Sequence, residues 1–342
     1  MERIVITGSS GALGRRVTQL LSEAGHEVVG LDNRQPDSAP VHGRGKGGPF
    51  HTVDLTAPDT DLKALLVDAD SVIHLAAGPA DTHANITMAR HLLVAAADSG
   101  VTHLVLLSSA AVYGAWSDNP VPLTEDAPLR PNPGFAYAFE KAEIERLALE
   151  WSDAHPSARV AVLRPARVLG PDDHSGWLAR ATAPSLLDRL SEELPSMQYL
   201  HIDDLAAAIA IAATAKFDGP LNIAPDGWLR GEEVGPLLGP SSPVPMPEKL
   251  VERLRRYRRS GEVPGASPYA RQPWVIANDR AKTLGWRPAT TTQEAIVASR
   301  PPSKLSKLFA RRRQEITLAA VTGAALLALG GSAVWWRRTR RR

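Results

Sequence analysis

The chain has 342 residues, of which 44% are hydrophobic, enough for two domains or for one large α/β domain with additions. It contains no cysteine, which excludes disulfides, thiolate metal ligands and cysteine nucleophiles. The net charge of +2 is uneven, because Ser303–Arg342 holds ten Lys/Arg residues and one acidic residue. The remainder is acidic overall, which argues against the clustered basic surface that nucleic-acid binding requires.

Short β-branched runs alternate with helical patterns through the first half of the chain. The predicted strands are Ile4–Thr7, His26–Asp32, Ser71–Leu75, Thr102–Ser108 and Arg159–Leu163. The predicted helices are Arg15–Ala24, Thr82–Ser99 and Tyr137–Ala154. This alternation predicts a doubly wound parallel sheet of the Rossmann type over residues 1–170, with helices on both faces.

Beyond residue 170 the pattern loosens into short helices separated by proline-rich turns. These helices are predicted at Leu178–Glu193, Asp204–Ala215 and Glu248–Arg259. Residues 171–300 are therefore expected to form a smaller substrate lobe that returns to the Rossmann core. The basic residues of Glu248–Arg259 favour a solvated charged face, with contact to anionic lipid as the alternative.

The last part of the chain has the features of a membrane segment. Residues 301–315 are predicted to be a basic linker, 316–336 a transmembrane-type helix and 337–342 a basic tail. Ile316–Trp336 has no charged residue, and as a helix it would span about 31 Å, close to the hydrocarbon thickness of a bilayer. Tryptophans at one end and arginines at both ends support this interpretation over an Ala/Gly-rich soluble helix.

Three glycines follow the first predicted strand with regular spacing, Gly8-x-x-Gly11-x-x-Gly14. A glycine-rich turn between a strand and a helix lets backbone N–H groups approach a pyrophosphate. This predicts a dinucleotide site that includes Ser10 and the adjacent Ala12 and Leu13.

The end of the second strand predicts how the adenosine half of the dinucleotide is held. Asp32 can accept both ribose hydroxyls of NAD and would repel a 2′-phosphate. Asn33 and Arg34 follow it, and Arg34 with Arg44 and Lys46 could reverse that preference, so NADP stays open as the alternative. Asp54 and Leu55, after the third strand, are expected near the adenine, with an ordinary surface aspartate as the alternative.

Tyr137 and Lys141 are four residues apart and share one face of a predicted helix. A lysine ammonium beside a phenol favours the phenolate and is expected to lower the pKa of Tyr137. A tyrosine tuned in this way can exchange a proton with a substrate hydroxyl or carbonyl.

Several blocks of the chain, in one order, resemble the extended short-chain dehydrogenase/reductase family, in its NAD-dependent epimerase/dehydratase group. The blocks are Thr7–Gly14, Val72–Ala77, Ser108–Gly114, Tyr137–Lys141, Leu163–Pro165, Val168–Pro171, Tyr199–Leu205 and Leu284–Pro288. The resemblance covers about Glu2 to Ala298. It implies an NAD(P)-dependent enzyme that acts on a hydroxyl or carbonyl group.

The resemblance also implies roles for individual residues. Ser109 matches the serine or threonine that bonds the reacting oxygen, Tyr137 the acid/base and Lys141 the residue that holds the nicotinamide ribose. Ala76 and Ala77 match small residues that line the cofactor. Asn85 matches an asparagine that holds a water or satisfies backbone groups, and both roles stay open.

Two positions depart from the pattern of enzymes that act on nucleotide sugars. Arg167 stands where those relatives have a substrate-contacting asparagine, and Gln198 precedes Tyr199 where they have an arginine. Arg167 is therefore a candidate clamp for an anionic substrate group or a plain surface arginine. Nucleotide-sugar epimerases or dehydratases and hydroxysteroid-type dehydrogenases remain alternatives.

These observations predict an enzyme body on the cytoplasmic face of a membrane, anchored through its C-terminal segment. The expected partners are a small-molecule substrate, the membrane and, as an open alternative, a second copy of the chain. No metal site and no nucleic-acid partner are expected. A protein of another class, which senses NAD(P) or acts as a scaffold without turnover, is the alternative that the intact Ser109, Tyr137 and Lys141 set argues against.

Overall fold

The computed structural model describes residues 1–35, 48–78, 82–170, 176–184, 188, 194–237 and 263–299. The strands are β1 (Arg3–Thr7), β2 (Glu27–Asp32), β3 (Phe50–Thr52), β4 (Ser71–His74), β5 (His103–Leu107), β6 (Arg159–Pro165), β7 (Arg167–Leu169), β8 (Tyr199–His201) and β9 (Gly219–Ile223). The helices are α1 (Ala12–Glu23), α2 (Leu62–Leu66), α3 (Thr82–Asp98), α4 (Ala136–Ala154), α5 (Trp177–Ala181), α6 (Ile202–Thr214), α7 (Gly231–Leu237), α8 (Ser267–Arg271), α9 (Asp279–Thr283) and α10 (Thr292–Ala298).

Seven strands form one parallel sheet in the order β3-β2-β1-β4-β5-β6-β9. Strand β1 pairs with β2 on one side and with β4 on the other, so the strand order reverses between β1 and β4. Ligands of open α/β sheets bind at the carboxyl ends of the strands at such a reversal. The predicted doubly wound sheet is confirmed, and it places a binding crevice beyond Thr7 and His74.

The central strands are buried on both faces, which explains why they are continuous apolar runs. Successive side chains of a strand point to opposite faces of the sheet. Ile4 and Ile6 pack on the side of α1 and α6, whereas Val5 packs on the side of α2 and α3. The sheet is therefore a rigid platform for the loops at its carboxyl edge.

Two strands that the sequence patterns did not reveal come from beyond residue 170. Strand β9 adds to the edge of the main sheet beside β6, with Leu221 opposite Leu163. Strand β8 pairs with β7 in a separate two-stranded parallel sheet. The region 171–300 thus contributes directly to the Rossmann core.

The predicted helix Leu178–Glu193 overlaps α5, which ends at Ala181, and most of its second half lies outside the described residues. Pro184 follows closely, and a proline disfavours helical backbone in the residue before it. The predicted helix Glu248–Arg259, the linker 301–315, the segment 316–336 and the tail 337–342 lie outside the described residues. Within the described ranges, no helix combines the length and apolar character needed to cross a bilayer.

Candidate active site

The turn between β1 and α1 requires glycine at two of its three regularly spaced glycine positions. Gly8 has a φ of +71°, and a Cβ there would lie 2.7 Å from the backbone nitrogen of Ala76. A Cβ on Gly14 would overlap the carbonyl oxygen of Gly8. Gly11 is the N-cap of α1, and its N–H donates to the Gly8 carbonyl at 3.2 Å. The backbone is therefore folded tightly enough for a pyrophosphate to approach the start of α1.

The Asp32 carboxylate connects this turn to the end of β2. One oxygen accepts from the Ser10 N–H at 2.9 Å and the other from the Arg34 N–H at 3.1 Å. The Ser10 hydroxyl also donates to the Arg34 carbonyl at 2.7 Å. A carboxylate has about four acceptor sites, so Asp32 retains capacity for two ribose hydroxyls. Asn33 and Arg34 are exposed beside it, and Arg44 and Lys46 lie outside the described residues.

Asp54 is engaged in a local turn. Its Oδ1 accepts from the Thr56 N–H at 2.8 Å and from the Thr56 hydroxyl at 2.7 Å, and these bonds lower the pKa of Asp54. Leu55 is buried in the core beside α2 and α3. The contact of both residues with adenine remains a prediction.

The segment after β4 packs directly against the glycine-rich turn. The Ala76 N–H donates to the Thr7 hydroxyl at 3.3 Å, and Ala77 follows it. Asn85 is buried and holds Gly78 from both sides, since its Oδ1 accepts from the Gly78 N–H at 2.7 Å and its Nδ2 donates to the Gly78 carbonyl at 2.9 Å. Of the two roles that the sequence left open for Asn85, the structure thus shows the bonding of backbone groups.

Ser109 and Tyr137 meet at the carboxyl edge of the sheet. Ser109 follows β5, and its Oγ accepts from the Ala111 N–H at 3.2 Å, which fixes the hydroxyl at the start of a short 3₁₀ helix. Tyr137 lies in the first turn of α4 and lines the same cavity as Ser109, whose side chain is near enough to act on the Tyr137 pKa. The two hydroxyls are therefore adjacent and can contact one substrate oxygen.

Lys141 lies on the same face of α4, one turn after Tyr137. Its Nζ is 5.8 Å from the centre of the Tyr137 ring, donates to the Leu107 carbonyl at 3.3 Å and lies 3.8 Å from an oxygen of Glu140. The side chain is buried, and burial lowers the pKa of Lys141 while the charges of Glu140 and Glu145 oppose this.

The expected lowering of the Tyr137 pKa is wrong for this structure. Burial raises the pKa of Tyr137 to about 12, the nearby Ser109 side chain opposes this, and the charge of Glu140 adds to it. Tyr137 is thus a phenol at neutral pH.

A cavity of about 270 Å³ joins the glycine-rich turn to the two hydroxyls. Gly8, Gly11, Ala12, Leu13 and Gly14 form one wall, and Ser109 and Tyr137 lie in another. The remaining lining is mostly apolar and includes Leu75, Leu107, Pro165, Ala166, Val168, Trp177 and Leu178. The glycine-rich turn, Ser109 and Tyr137 therefore share one cavity, whereas Lys141, Asp32, Ala76 and Ala77 are not among its lining residues.

Trp177 is a site residue that the sequence did not indicate. Its ring centre lies 5.2 Å from that of Tyr137, and it begins the short helix α5. Neither spacing nor a motif could have identified it, since the contact depends on how α5 folds back over the sheet.

Arg167 does not line the cavity, although its neighbours Ala166 and Val168 do. Alternation along β7 turns its side chain to the other face, where Nε donates to the Thr182 hydroxyl at 3.0 Å and Nη2 to the Tyr269 carbonyl at 2.6 Å. The guanidinium also lies 4.1 Å from the centre of the Trp274 ring. Both sequence-based roles are corrected: Arg167 is neither a substrate clamp in this structure nor a surface residue, but a buried packing residue.

A network of buried, hydrogen-bonded polar side chains lies next to the site. The Glu145 carboxylate accepts from the Ser108 hydroxyl and pairs with Arg164 at 2.6 Å. Arg164 also donates to the Tyr113 hydroxyl at 2.9 Å, and that hydroxyl donates to Asn222 at 2.8 Å. Glu145 follows Lys141 by four residues on the same helical face, which is the sequence signal that could have identified it.

His201 is the N-cap residue of helix α6. The His201 ring nitrogen accepts from the Asp203 N–H at 3.3 Å at the start of α6. Across the described residues, no cluster of three or more His, Asp or Glu side chains has the arrangement of a metal site.

The family follows from the sequence as a whole. Residues 4–224 match the model of the NAD dependent epimerase/dehydratase family. That match covers more than half of the chain, and the chain therefore belongs to this family of NAD-dependent enzymes. Its glycine-rich turn, Asp32 and enclosed cavity fit NAD as the cofactor.

Relatives of the chain carry different names. A 3-diazoavenalumate denitrifying reductase from a Streptomyces species is 28% identical over 84% of this chain and 96% of its own length. A UDP-glucose 4-epimerase from Neisseria meningitidis is 27% identical over 63% of this chain and 74% of its own length. An uncharacterized protein from Mycobacterium tuberculosis is 27% identical over 85% of this chain and 81% of its own length.

Solved structures share the fold. A Thermus thermophilus UDP-glucose 4-epimerase in complex with NAD has a TM-score of 0.65 and 24% identity, covering 87% of this chain and 97% of that one. A Bacillus anthracis dTDP-glucose 4,6-dehydratase in complex with NAD has a TM-score of 0.64 and 18% identity, covering 87% and 95%. At these identities the likeness supports the architecture.

Proposed function

We propose that this protein catalyses hydride transfer between NAD and a substrate carbinol or carbonyl carbon, with Tyr137 as the acid/base. The observation that carries the proposal is that the Ser109 and Tyr137 side chains line the same cavity as the glycine-rich turn. A bound NAD supplies the hydride chemistry. The protein supplies orientation and the proton.

Each residue has a role that its contacts support. Ser109, held by the Ala111 N–H, orients the reacting oxygen. Tyr137 donates its proton to that oxygen in reduction and removes it in oxidation. In this proposal Lys141 bonds the nicotinamide ribose. Asp32 bonds the adenosine ribose, which favours NAD over NADP.

The structure supports a simple alcohol or ketone substrate over a nucleotide sugar. Both positions at which relatives acting on nucleotide sugars hold their substrate serve the interior here. Arg167 bonds Thr182 and Tyr269, and Gln198 bonds the backbone N–H and carbonyl of Ile276. A relative of which the chain covers 96% of the length is also named a reductase. A nucleotide-sugar epimerase or dehydratase is the second candidate, supported by the relative from Neisseria meningitidis.

The test combines a substrate panel with the Tyr137→Phe variant. The wild-type protein is incubated with NAD or NADH and a panel of alcohols, ketones and nucleotide sugars. Net formation or loss of NADH identifies an oxidoreductase, whereas product formation without net change indicates an internal redox cycle. Tyr137→Phe should bind NADH as the wild type does and lose turnover by about 100-fold or more.

A catalytic role has a clear alternative. Unchanged turnover in Tyr137→Phe would remove Tyr137 from the mechanism. Tight NAD binding with no turnover on the whole panel would favour a cofactor-sensing or scaffold protein. The adjacent Ser109 and Tyr137 hydroxyls argue against that class, because sensing requires no proton donor in the cavity.

Membrane attachment through residues 316–336 is a separate part of the proposal. It rests on the uncharged segment and its flanking arginines, and the enzyme body would then face the cytoplasm. Deleting residues 303–342 should release the protein from membranes and slow turnover of lipophilic substrates presented in vesicles. Equal membrane recovery of the full and shortened chains would contradict it.

A further inference from the structure

The first two residues of α5, Trp177 and Leu178, line the cavity, and we call them the α5 wall. The Trp177 ring is half-buried, and its centre lies 5.2 Å from that of Tyr137 with 59° between the two ring planes. Val168 of β7 lines the cavity as well. The α5 wall is therefore beside the proposed acid/base, where the substituents of a reacting carbon lie when its oxygen bonds Tyr137.

The described lining of the cavity combines a few hydroxyl groups with apolar surface. The hydroxyls belong to Ser108, Ser109 and Tyr137, and that of Ser108 donates to the buried Glu145 carboxylate. The other lining side chains that the structure describes are aliphatic or aromatic. A polar group that is buried without a hydrogen-bond partner loses its hydration, whereas an apolar group gains from leaving water. This favours a substrate in which an apolar group is joined to the carbon that carries the reacting oxygen.

Buried hydrogen bonds hold the α5 wall in place. Thr182 is the C-cap of α5 and is fully buried, and its hydroxyl donates to the Leu178 carbonyl at 2.8 Å. The same hydroxyl oxygen accepts from the Arg167 Nε at 3.0 Å. Because a hydroxyl can donate one hydrogen bond and accept others, both bonds form together. Arg167 is thereby linked to the peptide group of a residue that lines the cavity.

Arg167 is itself fixed by several partners. Its Nη2 donates to the Tyr269 carbonyl at 2.6 Å. The guanidinium lies 4.1 Å from the centre of the Trp274 ring and 5.6 Å from that of Tyr199, and the residue is 2% exposed. A planar guanidinium with fixed partners has little freedom to move. The α5 wall is therefore preorganised, which lowers the entropy that is lost when a ligand packs on it.

We propose that the α5 wall determines the substrate class of this site: an apolar ring joined to the reacting carbon packs on the Trp177 indole, and Arg167 is the positioning residue that holds the wall. The inference rests on the proposed function and deepens it. Aromatic rings prefer offset or edge-to-face contacts with centres about 4.5–7 Å apart, so the tilted rings of Trp177 and Tyr137 can both contact a flat group. The substrate is thus a carbonyl compound, or the corresponding alcohol, that carries such a ring.

The first test detects contact with Trp177 in the absence of turnover. The full chain has eight tryptophans, so incorporation of 5-fluorotryptophan gives few ¹⁹F signals, and Trp177→Phe assigns the relevant one. The labelled protein is saturated with NAD, which cannot reduce a ketone, and is titrated with acetophenone or with dihydroxyacetone. The Trp177 signal should move with acetophenone, which carries an apolar ring, and stay in place with dihydroxyacetone.

Three results of this titration would overturn the inference. The Trp177 signal could fail to move with acetophenone, or it could move equally with both ketones. It could also move when NAD is added and no further with acetophenone, which would assign Trp177 to the cofactor.

The second test measures the affinity of the NAD complex for acetophenone by calorimetric titration. Trp177→Ala should weaken this binding by about tenfold or more and leave the affinity for NAD unchanged. Trp228→Ala is the matched control and should bind as the wild type does, because Trp228 is 38% exposed and is not among the lining residues of the cavity. Equal affinities of Trp177→Ala and wild type for acetophenone would contradict the assigned substrate class.

The positioning role of Arg167 is tested at its hydrogen-bond partner, which avoids removing a buried charge. Thr182→Val removes the hydroxyl and nearly preserves the side-chain volume, and it should weaken acetophenone binding by about three- to tenfold with NAD binding unchanged. Thr182→Ser keeps the hydroxyl and should stay near wild type. If Thr182→Val, folded by circular dichroism, binds acetophenone as tightly as the wild type, Arg167 does not position the wall.

These results are distinct from failure of the proposed function. Ketone binding to the NAD complex requires no proton transfer, whereas the proposed function is tested by turnover of the wild type and of Tyr137→Phe. Where turnover is found, Trp177→Ala should raise KM for acetophenone and leave kcat nearly unchanged, because the contact is with a group that does not react.

Discussion

The two ends of the cavity are built in different ways. The turn at Gly8–Gly14 acts through backbone geometry, with tight contacts and no charged side chain in the turn itself. The other end lies at helix α4, where the half-buried Tyr137 lines the cavity and the buried ionisable side chains Glu140, Lys141 and Glu145 lie on the same helix. The glycine-rich end provides space for a ligand. The α4 end sets the protonation states of its side chains through their burial.

This difference determines how each end responds to change. A backbone site fails when an atom is added, because the surrounding peptide groups cannot move easily. A buried ionic site fails when a charge is removed, because its partner is left uncompensated. The predictions below separate these two kinds of failure by pairing each variant with a control that has the same chemistry in an exposed or open position.

The largest effect is expected on the buried face of α4. Glu145→Gln leaves Arg164 without its carboxylate and should destabilise the protein by about 3–5 kcal/mol. Glu143→Gln removes the same charge two residues earlier, where the exposed pair with Arg146 contributes about 0.5 kcal/mol or less. Thermal unfolding of both variants measures the difference. Similar losses of stability would show that the buried pair has no special role.

A smaller effect is expected at the glycine-rich turn. Gly8→Ala combines a φ of +71° with a Cβ 2.7 Å from Ala76, and it should cost roughly 2–4 kcal/mol and weaken NAD binding. Gly100 has a φ of +72° with no neighbour within 4 Å, so Gly100→Ala should cost only about 1 kcal/mol and leave NAD binding unchanged. Unfolding curves and calorimetric NAD titration provide the two measurements. If both variants bind NAD equally, the close approach to Ala76 is not what shapes the site.

The two ends also differ in how far the sequence could predict them. The glycine positions and Asp32 were predictable because a strand–turn–helix unit is local, and its backbone demands appear as residue types at fixed spacing. The positions of β1, β2, β4, β5 and β6 followed from apolar runs for the same reason, whereas their order in the sheet came from the structure. Strand β9 was not predicted, because Gly219–Ile223 forms a strand through its pairing with β6.

The pKa of Tyr137 was predicted to shift in the wrong direction. Spacing showed that Lys141 is near Tyr137, but it could not show that burial dominates the Tyr137 pKa or that the lysine ammonium bonds the Leu107 carbonyl. Arg167 illustrates the same limit, because only the alternation of β7 between Ala166 and Val168 decides which way its side chain points. Electrostatics in a protein depend on what surrounds a group, and that information is tertiary.

A third effect, which depends on pH, concerns a histidine between the two ends. Burial, with the nearby Lys141, lowers the pKa of His74 to about 3, and its Nδ1 is 2.8 Å from the Thr7 hydroxyl. An unfolded histidine binds a proton near pH 6.5, so the stability due to neutral His74 is complete above that pH and is lost as the pH falls towards 3. The slope is about 1.4 kcal/mol per pH unit.

His74→Asn should therefore flatten the acid side of the stability curve between pH 6 and about pH 4 by up to that slope. His103, whose pKa is lowered to about 4 by burial and other contacts, would continue to contribute in the variant. His51→Asn, at an exposed position, should leave the curve parallel to that of the wild type. Urea unfolding at several pH values measures the three slopes. Parallel curves for His74→Asn and wild type would mean that His74 takes up its proton in the folded protein as it does in the unfolded one. Burial would then not lower the pKa of His74.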